Sequence, residues 1–259
     1  MDDLKKSIAE KKKLLDELRP LSPEALANLD HYYDIELTYT SNAIEGNTLS
    51  PVETTLVIEK GITVGGKALK DHLEALDHYD AVRYVRQLAR QPGPLVESDV
   101  RNLHKLVMQR SAPEIAGRYA TLPRYVRTDT GRHNFPSPVE IPPLMSDLVG
   151  WLSTAPNRPE TGFAAHRRLA AIHPFNDGNG RTARLLMNLI LIRGGYAPIT
   201  VRPEDRLEYI RSLQQEQAGQ GEQAFNALLY RRLDTILDEY LAALQASRPR
   251  AQSKTKPEP

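Results

Sequence analysis

Cysteine is absent from all 259 residues. That excludes disulfides and thiolate chemistry, and it fits a reducing compartment. Charge of one sign is not in excess either: Lys and Arg total 34 against 33 Asp and Glu, a formal net charge of +1. No global field therefore draws the chain to nucleic acid or to anionic lipid. No apolar run approaches the roughly 20 residues of a membrane span. The opening MDDLKKSIAEKKKLLDEL carries charge throughout and has no apolar core of a signal peptide. The expectation is a cytoplasmic protein that engages neither nucleic acid nor membrane. No internal repeat is present. What remains is ordinary for a globular chain, 40% apolar and 26% charged, and long enough for one sizeable core or two modest domains.

Helical signals dominate, so the fold class expected is mainly α. Leu4, Ile8, Leu15 and Leu18 recur at helical spacing until Pro20. Ser22-Pro23-Glu24 reads as an N-cap with proline at the first helical position, opening a helix to about Ile44, with Gly46 as its stop. Ser50-Pro51-Val52-Glu53 has the spacing of a capping box. A long helix is predicted over 67–90, with Leu69, Leu73, Leu76 and Leu88 as its apolar side, broken by Gln91-Pro92-Gly93-Pro94. Ser98 is expected to cap the next one. Residues 117–141 are turn-rich, and Tyr125-Val126-Arg127 and His133-Asn134-Phe135 flank a Thr-Asp-Thr-Gly turn, which predicts a small β-hairpin. Helices return over 142–153, 160–172, 180–193, 204–218 and 222–245, and SRPRAQSKTKPEP is expected to be a disordered tail, 246–259.

One stretch concentrates chemistry: HPFNDGNGRTAR, residues 173–184. Gly178-Asn179-Gly180 precedes a helical segment, so turning backbone N–H groups and a helix N-terminus converge into an anion nest. Arg181 and Arg184 lie on one face of the first turn, where both guanidiniums can reach one polyanion. Asp177 at the rim suits Mg²⁺, which accompanies polyphosphates through one or two carboxylates. His173 has the intrinsic pKa of a general base at neutral pH. No Gly-Lys-Ser/Thr is present, so this is not a Walker loop. The bland alternative is a polar helix connection with surface arginines.

HPFNDGNGRTAR resembles the signature of the Fic (Fic/Doc) family, His-Pro-Phe-x-Asp/Glu-Gly-Asn-Gly-Arg-x-x-Arg, at every fixed position. The similarity extends over most of residues 35–240. It implies a Fic helical core with a hairpin flap over residues 95–240, and an N-terminal helical extension over 1–94. It also implies a protein adenylyltransferase, moving AMP from ATP to a Ser, Thr or Tyr hydroxyl with release of pyrophosphate. His173 would be the base and Asp177 the ligand of Mg²⁺ (or Mn²⁺). Gly178, Asn179 and Gly180 would form the anion hole, and Arg181 and Arg184 would hold the β- and γ-phosphates. Phe175 reads as an anchor of the loop. His166, seven residues before His173, has no third ligand in view and reads as a buried structural histidine.

Residues 41–47, SNAIEGN, resemble the inhibitory signature of the same family, Ser/Thr-x-x-x-Glu-Gly/Asn. A carboxylate at a helix C-terminus faces the negative end of the dipole and calls for a cation. The resemblance implies that Glu45 pairs with Arg184, inhibits transfer, and takes part in removal of AMP. The flap, including Gly131, Arg132, His133, Asn134 and Phe135, would dock a protein substrate by strand addition. Tyr209 matches an aromatic that contacts adenosine in relatives. Gln217 stands where relatives often carry asparagine. The partners implied are ATP and a protein of unknown identity, with a homodimer left open. The competing reading is a non-catalytic nucleotide-sensing module.

Overall fold

The computed structural model describes residues 1–20, 23–128 and 131–246. The Ser22 cap, the centre of the Thr-Asp-Thr-Gly turn and nearly all of the expected tail lie outside them. Among the described residues there are ten α-helices and one two-stranded sheet: α1 Asp2–Glu17, α2 Pro23–Ile44, α3 Pro51–Lys60, α4 Leu69–Arg90, α5 Glu97–Met108, β1 Tyr125–Thr128, β2 Gly131–Asn134, α6 Ile141–Thr154, α7 Pro159–Ile172, α8 Asn179–Arg193, α9 Arg206–Gln217 and α10 Gln223–Ala246. The mainly helical expectation is met, and no described helix is long and apolar enough to cross a membrane.

Helix α8 is the axis. Every residue from Arg181 to Leu191 is buried. Leu185, Leu186 and Leu189 are enclosed between α4, α5 and α7, and burial of each such side chain is worth roughly 1.5–3 kcal/mol. A helix buried all round must satisfy its polar side chains internally. Asn188 does so with the 197–201 segment, accepting the Ile199 N–H at 2.7 Å and donating to its carbonyl at 3.0 Å. Helix α1 packs on α10. Helix α2 is tied to α4 through Arg86, whose Nη1 meets Asp30 at 2.6 Å and Nε meets Asp34 at 2.5 Å. Elements on both sides of residue 94 share one apolar core, from Leu37 and Val82 to Leu103, Leu148 and Leu186.

Two local expectations change. Helix α5 begins at Glu97, one residue before Ser98; its N-cap is Val96, whose N–H donates to Asp99 at 3.0 Å, so Asp99 does the capping. Helix α4 does not bury its leucine stripe in its first half. Leu69 is exposed, while Asp71, His72, Glu74, Asp77 and His78 are buried. The reason is partnership. Asp77 accepts the backbone N–H groups of Arg110 and Ser111 at 3.0 and 2.9 Å, and Glu74 faces an arginine of the motif. The capping box of α3 forms as read, Ser50 N–H donating to Glu53 at 2.7 Å and Glu53 N–H to Ser50 Oγ at 3.3 Å.

The hairpin is antiparallel, with Tyr125 opposite Asn134, Val126 opposite His133 and Arg127 opposite Arg132. Its ladder continues to Phe135, whose N–H donates to the Arg124 carbonyl at 3.0 Å. Phe135 is thereby delivered to the mouth of the motif loop.

Candidate active site

The loop between α7 and α8 is built from the inside out. Helix α7 ends at Ile172, and His173 is its left-handed cap, with φ +49° and ψ +56°. A non-glycine residue in that region needs outside support. Phe175 supplies it: the ring is fully buried, stacked on His104 at 3.7 Å with planes 3° apart. The Ala120 N–H donates to the Pro174 carbonyl at 2.9 Å. His104 reaches further. Its Nδ1 accepts the Gly117 N–H at 2.9 Å and its Nε2 lies 3.0 Å from the Asp177 carbonyl. Burial pushes its pKa down to about 4, against a smaller opposing effect of the Asp177 hydrogen bond, so the ring is neutral with its proton on Nε2. Gly178, at φ +73°, passes so close that an added Cβ would sit 2.9 Å from Met108 Sδ.

Asn179 divides its part between side chain and backbone. Its side chain is consumed by the loop, accepting the Phe175 N–H at 2.9 Å and donating to the Phe175 carbonyl at 2.8 Å. What it offers an anion is the backbone N–H at the start of α8. Asp177 stands at the rim, 57% exposed and 3.7 Å from Arg181 Nη2, with Oδ1 accepting the Gly178 N–H at 2.6 Å. Among the described residues no group of three His, Asp or Glu could hold a metal. A single exposed carboxylate is the donor set of a cation that keeps water and phosphate as its other ligands.

Both motif arginines are buried, Arg181 to 2% and Arg184 to 4% exposure. Arg184 is fully engaged. Nε donates to Ser41 Oγ at 2.9 Å, Nη2 to the Ser41 carbonyl at 2.9 Å and to Glu45 Oε1 at 2.6 Å, and Nη1 to Tyr209 Oη at 3.3 Å. Ser41 and Glu45 lie one helical turn apart, so both face the same guanidinium. The Glu45 carboxylate also lies over the motif turn: a Cβ added to Gly180 would meet its Oε1 at 2.5 Å. Its helix-end misfit is resolved twice over. It rests on the positive end of α8, and Arg206 Nε donates to the Ile44 carbonyl at 2.7 Å, placing a second cation at the end of α2.

Arg181 is less satisfied. Nη1 lies 3.3 Å from Glu74 Oε1, and Nη2 lies 3.6 Å from Met108 Sδ and 3.7 Å from Asp177 Oδ1. Nε and Nη1 have no hydrogen-bond acceptor. Glu74 in turn accepts from Asn47 Nδ2 at 3.1 Å.

Tyr209 is placed beneath Arg184, with 2% of its surface exposed and a 2.7 Å hydrogen bond to His166 Nε2. In this arrangement it supports the guanidinium and presents no open ring face. His166 is buried, and burial with the nearby charges of Arg184 and Arg167 holds its pKa well below the usual value, which matches the structural reading of this histidine.

At His173 the flap and the motif meet. Phe135 stacks on the imidazole at 3.8 Å with planes 11° apart. Burial lowers the His173 pKa to about 4, helped by the charge of Arg124 and opposed by the Ala170 carbonyl, Glu45 and Asp177. A neutral imidazole keeps a lone pair on one ring nitrogen. The site therefore holds a neutral base, a helix N-terminus, two arginines and an exposed carboxylate in one place.

His104, Glu74 and Ser41 were not singled out from the sequence. Ser41 was within reach, since it opens the SNAIEGN motif one turn from Glu45. His104 and Glu74 lie on helices with no motif of their own, and only packing brings them to the loop.

Residues 94–191 match the Fic/DOC family. A Fic domain containing signaling protein from Bacteroides thetaiotaomicron superposes with a TM-score of 0.86 at 31% identity, over 95% of this chain and 99% of that one. Fic-1 from Caenorhabditis elegans superposes with a TM-score of 0.81 at 29% identity, over 93% and 71%. Among curated relatives, the protein adenylyltransferase Fic of Nematostella vectensis is 37% identical over 213 residues, 79% of this chain and 48% of its own length. The protein adenylyltransferase fic-1 of C. elegans is 34% identical over 215 residues, 81% and 41%. The chain belongs to the Fic/DOC family. It spans less than half the length of these two curated relatives.

Proposed function

We propose that this chain is a protein adenylyltransferase restrained by its own Glu45. The observation that carries the reading is the 2.6 Å ion pair between Glu45 and Arg184, set directly over Gly180 at the motif turn. Relatives named as protein adenylyltransferases support the reaction class. In that reaction a target Ser, Thr or Tyr oxygen attacks the α-phosphorus of ATP. The bond to the β-phosphate oxygen breaks, pyrophosphate leaves, and the hydroxyl proton passes to the lone-pair nitrogen of His173. The N–H groups at the start of α8 and the two arginines face the phosphates. Asp177 would hold Mg²⁺ together with phosphate oxygens, and the bound ion would neutralise charge on them. The flap would align the target segment by strand pairing.

Glu45 competes for the guanidinium that a terminal phosphate needs. With the tail displaced, the α-phosphorus is out of line with the incoming oxygen, and misplacement of that kind costs on the order of a hundredfold in rate. Released from Arg184, the same carboxylate would orient a water, and removal of AMP from a modified target is the companion activity that this reading adds.

The test is auto-labelling from labelled ATP by the parent, Glu45→Gly and Glu45→Gly/His173→Ala proteins. Labelling should rise at least about tenfold in the first variant and fall by about 10²–10⁴ in the second, the usual worth of a general base. Equal, weak labelling of all three, with the fold intact by circular dichroism, would return the chain to a nucleotide-binding module.

A further inference from the structure

We propose that the hairpin selects an acidic target segment, with carboxylate side chains of a protein chain answering Arg127 and Arg132. This rests on the adenylyltransferase reading and names the substrate class of that same site. Residues 117–136 contain four arginines and one acid, Asp129, a local excess of three positive charges on a chain whose net charge is +1. Some arginines elsewhere pair with acids, as Arg86 with Asp30 and Arg232 with Asp205, while others, Arg101 and Arg168 among them, lie over aromatic rings. Among the described residues, neither Arg127 nor Arg132 forms an ion pair with an acid.

Their placement makes the excess specific. Arg127 and Arg132 are directly opposite in the ladder and both are exposed. Like charges in that register weaken a two-stranded sheet unless an anion lies between them. Arg132 is held in place, its guanidinium 4.6 Å from the exposed Tyr125 ring and its Nε donating to Asn134 Oδ1 at 2.8 Å. Arg124 stands at the root of the flap. Nη2 donates to the Pro136 carbonyl at 2.9 Å, while Nε and Nη1 are buried with no acceptor. Its ladder partner Phe135 stacks on His173, which ties the root of the flap to the motif histidine.

The two functions separate cleanly. Main-chain pairing with the hairpin positions a segment without reading its sequence. Arginines along the hairpin add selection by charge, through orientation and rejection of basic partners. In an extended target, carboxylates on alternate residues share one face, which matches Arg127 and Arg132, cross-strand partners on one face of the hairpin.

The experiment uses the full-length Glu45→Gly protein and three fluorescein-labelled peptides. Each has one Thr flanked on both sides by Glu, Gln or Lys. Anisotropy at low salt should show the Glu peptide binding about tenfold tighter than the Gln peptide, the sum of a few exposed pairs, with the advantage lost in high salt. Arg127→Glu/Arg132→Glu should reverse the order to favour the Lys peptide, and Arg127→Gln/Arg132→Gln should abolish the preference. Equal binding of Glu and Gln peptides would overturn the proposal. So would a Glu preference that survives charge reversal, or tighter binding of a single-stranded DNA oligonucleotide. Binding needs no turnover. Failure of ATP labelling with the Glu preference intact would sink the adenylyltransferase reading alone.

Discussion

The rings of Phe135 and His173 lie stacked, 3.8 Å apart, so the residue that ends the flap also covers the base of the motif. This removes water from one face of the imidazole and lowers its pKa to about 4, with burial the largest cause and Arg124 next. In the Glu45→Gly background, the acid limb of kcat/KM should fall well below the ordinary histidine value of about 6.5. Phe135→Ala should move that limb upward. A limb unchanged by the substitution would dissociate the flap from the base. The linkage sign follows: a histidine depressed on folding favours the native state above its unfolded pKa, and that contribution is lost as pH falls from about 6.5 towards 4.

His104 joins three parts of the loop through one ring, by stacking on Phe175 and by hydrogen bonds to Gly117 and Asp177. His104→Ala leaves a cavity and two unpaired backbone groups, each worth about 1–3 kcal/mol when buried. Urea denaturation should show a loss of roughly 2–4 kcal/mol, and ATP affinity should drop with it. Stability within 0.5 kcal/mol of the parent (about the scatter of a surface substitution) would mean the loop is held by other contacts.

Glu74 is the only acid that the structure places against the Nη1 of Arg181, among the described residues. Glu74→Gln leaves the guanidinium buried without its counter-charge, a loss that costs on the order of 3 kcal/mol. Chemical denaturation would measure it. ATP with Mg²⁺ should recover more stability in this variant than in the parent, because phosphate then supplies the missing anion.

Asp177→Ala should make nucleotide binding insensitive to Mg²⁺. Calorimetric titration of ATP with and without EDTA checks this: the parent's affinity should fall when the metal is removed, and the variant's should not change. A variant that still responds to Mg²⁺ would place the ion elsewhere.

Much of this molecule was legible locally. Gly46, the Ser50–Glu53 box and the Pro92-Gly93-Pro94 break mark element ends by backbone chemistry that acts within a few residues. The GNG turn before an apolar helix marks the start of α8. Glu45 at a helix end called for a cation, and two arginines answer it. The start of α5 was missed locally, since Asp99 and not Ser98 caps it; the larger miss is one where partners distant in sequence overrule the local signal. The leucines of α4 form a tidy stripe, yet its first half buries Asp71, Glu74 and Asp77, because Thr48 meets Asp71, Asn47 and Arg181 meet Glu74, and Ser111 meets Asp77 on that side.

The sequence alone determined which groups this protein owns: a loop histidine, a rim carboxylate, a glycine-turned helix start, and helices to carry them, since these follow from short spacings and backbone preferences. Only the tertiary structure decided their state. Packing of α2 and α4 against α8 brings Glu45 and Glu74 onto two arginines, and the hairpin lays Phe135 on His173. Those contacts join residues up to 139 positions apart, and no local spacing encodes the low-dielectric enclosure that makes them strong.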